Sequence, residues 1–182
     1  SGFNGACGSL PVVGNLALFN AHDGIRGGIF VTDGTASGTS RLFPIGSPNE
    51  QLGICHWVKF GDEIIFDNGD LWRTDGTASG TRQLFQAPFP LYSDDLVESN
   101  GLVYFAAVNP SQGYFRHLWR TDGTSEGTFQ LDSLTDTPYN ITSFGSLTVF
   151  RSDCHGGPEC RLYVTDGTVA GTRRLSDMWV RG

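Results

Sequence analysis

Charge is scarce in this 182-residue chain: Asp, Glu, Lys and Arg make up only 17 % of it, and a single Met is present. No run approaches the ~20 consecutive apolar residues that a membrane helix needs. No apolar stripe recurs at helical spacing, so neither a membrane span nor a helical bundle is expected. Basic patches are missing as well. A net charge of −7 would repel phosphate, which argues against nucleic acid as a partner. The four cysteines lack the two-residue gaps and the second Cys or His pair of a structural zinc site. No specific catalytic motif is present, so the chain is expected not to be an enzyme and to need no cofactor.

What the sequence has instead is glycine, 25 residues of it, and repetition. The stretch LWRTDGTASGTRQL at 71–84 recurs from Ile29, Leu118 and Leu162. Aligned on the Thr before each Asp-Gly, Thr32, Thr74, Thr121 and Thr165 come into register with periods of 42, 47 and 44 residues, a repeat architecture. Each copy carries an aromatic two residues before that Thr (Phe30, Trp72, Trp119, Tyr163), then Asp-Gly-Thr, Gly-Thr and a Leu (Leu42, Leu84, Leu131, Leu175). Asp-Gly between apolar runs signals a hairpin, with the Asp bonding backbone N–H groups of its own turn and the Gly supplying a positive φ. A calcium site is not expected there, because such a site gathers about six or more oxygens and each turn offers one carboxylate.

At these residues the chain resembles the bacterial and marine extracellular repeats written ELWxxDGT. The likeness covers the hairpin of all four copies. It departs at the Glu before the Leu, where this chain has Gly28, Asp70, His117 or Arg161, so any role of that Glu is not carried over. The resemblance implies a secreted or surface β-propeller-like module and says little about ligand.

Upstream of each motif a second pattern recurs, a Gly or Asn followed five residues later by Phe: Gly14 with Phe19, Gly61 with Phe66, Asn100 with Phe105, Gly145 with Phe150. Each marks a tight turn that opens a strand, with another short strand before it. One repeat is therefore a meander of four strands, A to D, about the size of a propeller blade. The fold class expected is all-β: a four-bladed β-propeller, with one four-stranded antiparallel meander per blade. The blades fall at 1–43, 44–85, 86–131 and 132–182 of a single domain. An open stack, or half of a larger ring completed by a second chain, is the other arrangement, since one blade cannot bury both faces of its sheet. The tail 177–182 would lie against Cys7 to Leu10 and close the circle.

The B–C connections differ in length among the repeats (20–28, 67–70, 106–117, 151–161), whereas the A–B and C–D turns barely vary. In a meander the B–C loops and the D-to-A connections share one end, so the diversity sits where binding usually lives. Five residues before each A–B turn stand Ser9, His56, Asp95 and Asn140. If strand A lines the central channel, these form a polar ring at its mouth. The ring could hold a ligand hydroxyl, water or a structural cation, with His56 and Asp95 as the metal candidates; the alternative is that these groups satisfy strand ends. Ser, His and Asp in one ring also have the composition of a hydrolase triad, but nothing in the spacing supplies its geometry. His22, His117 and His155 in the B–C loops read as solvated surface histidines. The longest loop exposes Tyr114, Phe115 and Arg116, side chains typical of an interface or a sugar platform; the alternative folds Phe115 inward.

An even number of cysteines fits an oxidising compartment. Cys154 and Cys160 bracket a tight loop that a disulfide would staple, leaving Cys7 to pair with Cys55. Asn140-Ile141-Thr142 is a glycosylation sequon if the source is eukaryotic. A start at Ser1 fits a removed signal peptide, and an excised boundary would look the same. The reading is a secreted or cell-surface, lectin-like recognition or adhesion module that binds carbohydrate or protein through its variable face. The alternative is a structural protein that self-assembles into an extracellular filament, sheath or matrix.

Overall fold

The computed structural model describes residues 10–22, 27–44, 54, 56–87, 91, 96–113, 115–131, 137–154 and 159–181. The chain divides into two compact units, residues 1–86 and 87–182, and each holds two of the expected blades. In the first unit, blade 1 consists of β1 (Val12–Val13), β2 (Leu16–His22), β3 (Gly27–Thr32) and β4 (Ser40–Pro44). Blade 2 consists of β5 (His56–Phe60), β6 (Glu63–Asp67), β7 (Leu71–Thr74) and β8 (Arg82–Phe85). In the second unit, blade 3 is built from β9 (Val97–Ser99), β10 (Leu102–Val108), β11 (Arg116–Thr121) and β12 (Phe129–Gln130). Blade 4 is built from β13 (Tyr139–Phe144), β14 (Leu147–Ser152), β15 (Glu159–Thr165) and β16 (Arg173–Arg181). Each sheet runs in chain order with antiparallel neighbours, so the fold is the all-β, four-bladed β-propeller class expected from the repeats.

The two recurrent aromatics of each copy turn out to be one cross-strand pair. Phe19 lies opposite Phe30, Phe66 opposite Trp72, Phe105 opposite Trp119 and Phe150 opposite Tyr163. Three of these pairs stack with ring centroids 5.4 to 6.3 Å apart. Phe66, Phe105 and Phe150 are fully buried, a burial that contributes roughly 1.5–3 kcal/mol each.

Because side chains alternate across a strand, register assigns every core residue to one of two faces. In the first unit, Val13, Leu18, Ile29, Val31 and Leu42 of blade 1 pack with Ile64 and Phe66 of blade 2. In the second, Tyr104, Leu118 and Leu131 of blade 3 pack with Ile141, Phe150 and Tyr163 of blade 4. The face carrying the stacked Phe thus looks back along the chain, and the face carrying the Leu of strand D looks forward.

The motif itself is a knotted turn, longer than the tight Asp-Gly hairpin expected: the strands stop at the first Thr and resume after residues 33–39, 75–81, 122–128 and 166–172. In blade 2, Asp75 Oδ1 accepts from Thr77 N at 2.8 Å and from Thr77 Oγ1 at 2.7 Å. Thr77 Oγ1 in turn accepts from Gly80 N at 3.0 Å. Thr81 Oγ1 donates to Thr77 O at 2.6 Å and lies 2.6 Å from Thr74 Oγ1, which accepts from Gly76 N. The other three copies repeat these bonds. Two glycines are required for different reasons. Gly76 has φ +89°, which residues with a Cβ rarely adopt. Gly80 has the carboxylate of Asp75 where its Cβ would stand, 2.1 Å away. The Thr hydroxyls hold Asp33, Asp75, Asp122 and Asp166 below the usual carboxylate range, so these carboxylates serve their own turns.

The tail 177–181 is the outer half of β16. It pairs with β15 through Arg161↔Trp179 and Glu159↔Arg181, while Cys7 to Ser9 lie outside the described residues.

Candidate functional site

Local contacts fix which connections share an end of each unit. In the first, Asn20 near the end of β2 accepts from Ile54 N at 2.8 Å and donates to Ile54 O at 3.3 Å, tying the B–C end of blade 1 to a residue just ahead of β5. In the second, Arg116 N donates to Thr137 Oγ1 at 3.4 Å, tying the B–C loop of blade 3 to the entry of blade 4. The tight turns gather at the opposite end, where Asn100 Nδ2 donates to Gly145 O at 3.0 Å. Within each unit, then, the variable connections lie together, as a meander requires.

Of the proposed polar ring, Ser9 and Asp95 lie outside the described residues. His56 opens β5 with Nδ1 3.8 Å from Asp67 Oδ2, and Asp67 Oδ1 accepts from Gly69 N at 2.6 Å. Asn140 sits in β13 with φ +51°, its Oδ1 accepting from the Arg151 guanidinium. Both described members therefore have side-chain partners in their own blades. The sequon Asn140 is exposed, and Thr142 Oγ1 donates to its carbonyl at 3.1 Å. Among the described residues no cluster of His, Cys, Asp or Glu converges as a metal site would.

The histidines separate. His22 ends β2 on the surface, and His155 lies outside the described residues. His117, expected as a solvated loop residue, is 2 % exposed in β11, opposite Ala107. The reason is that β10 continues to Val108 and β11 starts at Arg116, which shortens the expected 106–117 loop to 109–115. What remains is a capped turn. Asn109 Oδ1 accepts from Ser111 N at 3.1 Å and from Ser111 Oγ at 2.6 Å at the start of a 3-10 turn, Pro110–Gln112.

That turn leads to the surface that sequence reasoning only half located. Asn109 Nδ2 donates to Gln130 Oε1 at 2.7 Å, and Gln130 Nε2 donates to Gln112 Oε1 at 2.7 Å. This amide chain stitches the loop to β12. Beside it Phe115 is 53 % exposed, so of its two expected placements the outward one is observed; Arg116 is half-buried, and Tyr114 lies outside the described residues. Sequence reasoning missed this turn, although Asn109-Pro110 is a turn dipeptide that could have located it; the partnership with Gln130 needs the β11–β12 pairing.

Blade 4 has its own fixtures at this end. Cys154 and Cys160 form the expected disulfide, whereas Cys7 and Cys55 lie outside the described residues. Next to it the Tyr163 hydroxyl donates to Asp153, and burial, then Asp153, pushes that phenol well above its ordinary range. Arg161 stacks 3.6 Å over the Trp179 ring. No helix among the described residues is long and apolar enough to cross a membrane.

No protein-family model and no curated protein sequence matches the chain. Among solved structures it is similar to puromycin hydrolase, with a TM-score of 0.54 and 17 % identity over 92 % of this chain and 28 % of that one. A mutant of that hydrolase complexed with PGG matches at 0.53 and 17 % over the same shares. Tricorn protease matches at 0.50 and 10 %, over 92 % of this chain and 22 % of that one. The chain thus spans less than a third of the length of these relatives. They correct one expectation, that the chain is not an enzyme: chains sharing its fold are those of a hydrolase and a protease, so a missing motif in this stretch excludes no catalytic role. At these identities the likeness is one of fold, and the fold it shows is the β-propeller.

Proposed function

We propose that the chain is a recognition or adhesion module that contacts a carbohydrate or protein ligand through the variable end of its blades. The observation that carries this reading is Phe115, 53 % exposed on a turn braced by the Asn109, Gln130 and Gln112 side chains. An exposed aromatic ring offers a planar apolar contact, and a neighbouring guanidinium and amides offer directional hydrogen bonds. The turn is held by side-chain bonds to β12, so its shape precedes any ligand, which lowers the ordering cost of binding. A secreted or cell-surface location belongs to the same reading: the Cys154–Cys160 disulfide persists in oxidising compartments.

The test is a glycan array probed with the oxidised protein and with Phe115→Ser, alongside thermal melts of both. Because Phe115 is largely solvated already, its replacement should leave the melting temperature within about 1 °C and remove binding. Glycans bound equally by both proteins would refute this placement of the site.

A further inference from the structure

The side-chain amides beside Phe115 form a chain whose direction the backbone sets. The N–H of Ser111 can only donate, and it donates to the Asn109 side chain at 3.1 Å. The Asn109 atom facing it is therefore the amide oxygen, and its NH2 group points the other way. That NH2 donates to Gln130 at 2.7 Å, so the atom of Gln130 that receives it is an oxygen. The Gln130 NH2 then donates to Gln112 at 2.7 Å, where the same exclusion makes the receiving atom Oε1. One backbone N–H thus orients three amides in turn. What is left at the far end is the Gln112 NH2, on an exposed residue and with no hydrogen-bond partner among the described residues. Bonds in such a chain polarise one another, which makes the terminal N–H a better donor than that of a lone amide.

The neighbouring ring completes the surface. Phe115 Cδ2 lies 4.0 Å from where a Cβ on Gly113 would stand, so the ring rests against the residue next to Gln112. Pro110, Ser111, Gln112 and Gly113 are all exposed, and Phe115 is the large apolar group of this turn among the described residues. A protein interface buries on the order of 800 Å² per partner around several anchors. A single exposed ring falls short of that and matches one sugar ring.

The free donor narrows the kind of sugar. A hydroxyl both donates and accepts and so discriminates little, whereas a carbonyl only accepts and is matched to an NH2 that only donates. A carboxylate would accept as well, but a chain carrying −7 repels it. An acetamido group supplies an uncharged carbonyl oxygen together with a methyl that an aromatic ring can cover.

Building on the reading of the Phe115 surface as a binding site, we propose that it takes an N-acetylated hexosamine, with the sugar against the Phe115 ring and the acetamido oxygen on Gln112 Nε2. Every residue named belongs to blade 3, so the geometry of the site is set within one sheet and its B–C turn.

Titration calorimetry with N,N′-diacetylchitobiose, and with cellobiose, which has the same linkage and lacks the acetamido groups, tests this on the wild type, Gln112→Glu and Phe115→Ser. Gln112→Glu retains the oxygen that accepts from Gln130 and replaces only the outward NH2 by an acceptor. The position is exposed, so the melting temperature should stay within about 1 °C. The wild type should bind the acetylated sugar about tenfold more tightly than cellobiose, the size of one well-made hydrogen bond. Gln112→Glu should bind the two alike, and Phe115→Ser should bind neither. Equal affinity of the wild type for both sugars overturns the proposal, and so does a preference that survives Gln112→Glu; in either case loss of binding in Phe115→Ser leaves the surface itself where it is placed. A wild type that binds neither sugar but takes peptides from a library in a Phe115-dependent way overturns it in favour of a protein ligand. Failure to find any Phe115-dependent ligand, sugar or peptide, removes the surface along with the sugar.

Discussion

Replacing Gly80 by Ala isolates the physics of the repeated turn. The added methyl would stand 2.1 Å from Asp75 Oδ1 and 2.2 Å from its Cγ, so the carboxylate has to leave. Leaving breaks its bonds to Thr77 N and Thr77 Oγ1. Hydrogen bonds to a charged group are worth ~1.5–3 kcal/mol when shielded. This carboxylate is largely solvated, which reduces each to about 1 kcal/mol and the pair to about 2 kcal/mol. Against this stands a gain of ~0.4–1 kcal/mol from stiffening the unfolded chain, since Gly80, unlike Gly76, has no positive φ. The net cost is about 1–1.5 kcal/mol, or roughly 3–5 °C in melting temperature for a chain of this size. The decisive measurement is a double-mutant cycle by urea unfolding: in an Asp75→Ala background the obstruction is gone, and Gly80→Ala should become neutral or slightly stabilising. A coupling energy near 2 kcal/mol is expected. If Gly80→Ala cost the same in both backgrounds, within about 0.5 kcal/mol, the carboxylate would not be the reason for the glycine.

Three further outcomes are expected. The four turn aspartates have folded pKa values below their ordinary 3.8, so they contribute stability that is present above pH ~4 and lost as the pH falls through the folded values; thermal melts from pH 5 to pH 2 should fall less steeply for Asp122→Asn than for the wild type. Removing the Cys154–Cys160 disulfide as the double Ser variant releases a loop with a sequence separation of 6 and should cost about 2 kcal/mol from loop closure, read as a lower urea midpoint. Phe150→Ala should cost ~3–5 kcal/mol as a fully buried phenylalanine, and Phe19→Ala, measured in dilute solution, less than half of that; equal losses would mean that the backward face of blade 1 is covered in the monomer.

Much of this architecture could be read one residue at a time. The Gly-or-Asn to Phe spacing located the starts of all four B strands at Leu16, Glu63, Leu102 and Leu147, where the structure has them, because a tight turn followed by alternation is a local property. The Cys154–Cys160 bridge was legible for the same reason, as six residues leave few other partners. The site was less so. His117 looked like loop because its own neighbours, Arg116 and the Gly113 turn, are polar or flexible, and only the pairing with Ala107 buries it. The Asn109–Gln130 bond spans 21 residues and depends on β11 and β12 lying side by side.

By itself the sequence determined the four meanders, the aromatic and leucine positions of each, and the residues that knot the turn, since those interactions close within one copy. Tertiary structure alone decided the worth of the repeated positions. Leu131 and Leu175 occupy equivalent places in equivalent strands, yet one is 1 % and the other 48 % exposed. Burial depends on what lies across the face, and no window of sequence contains it.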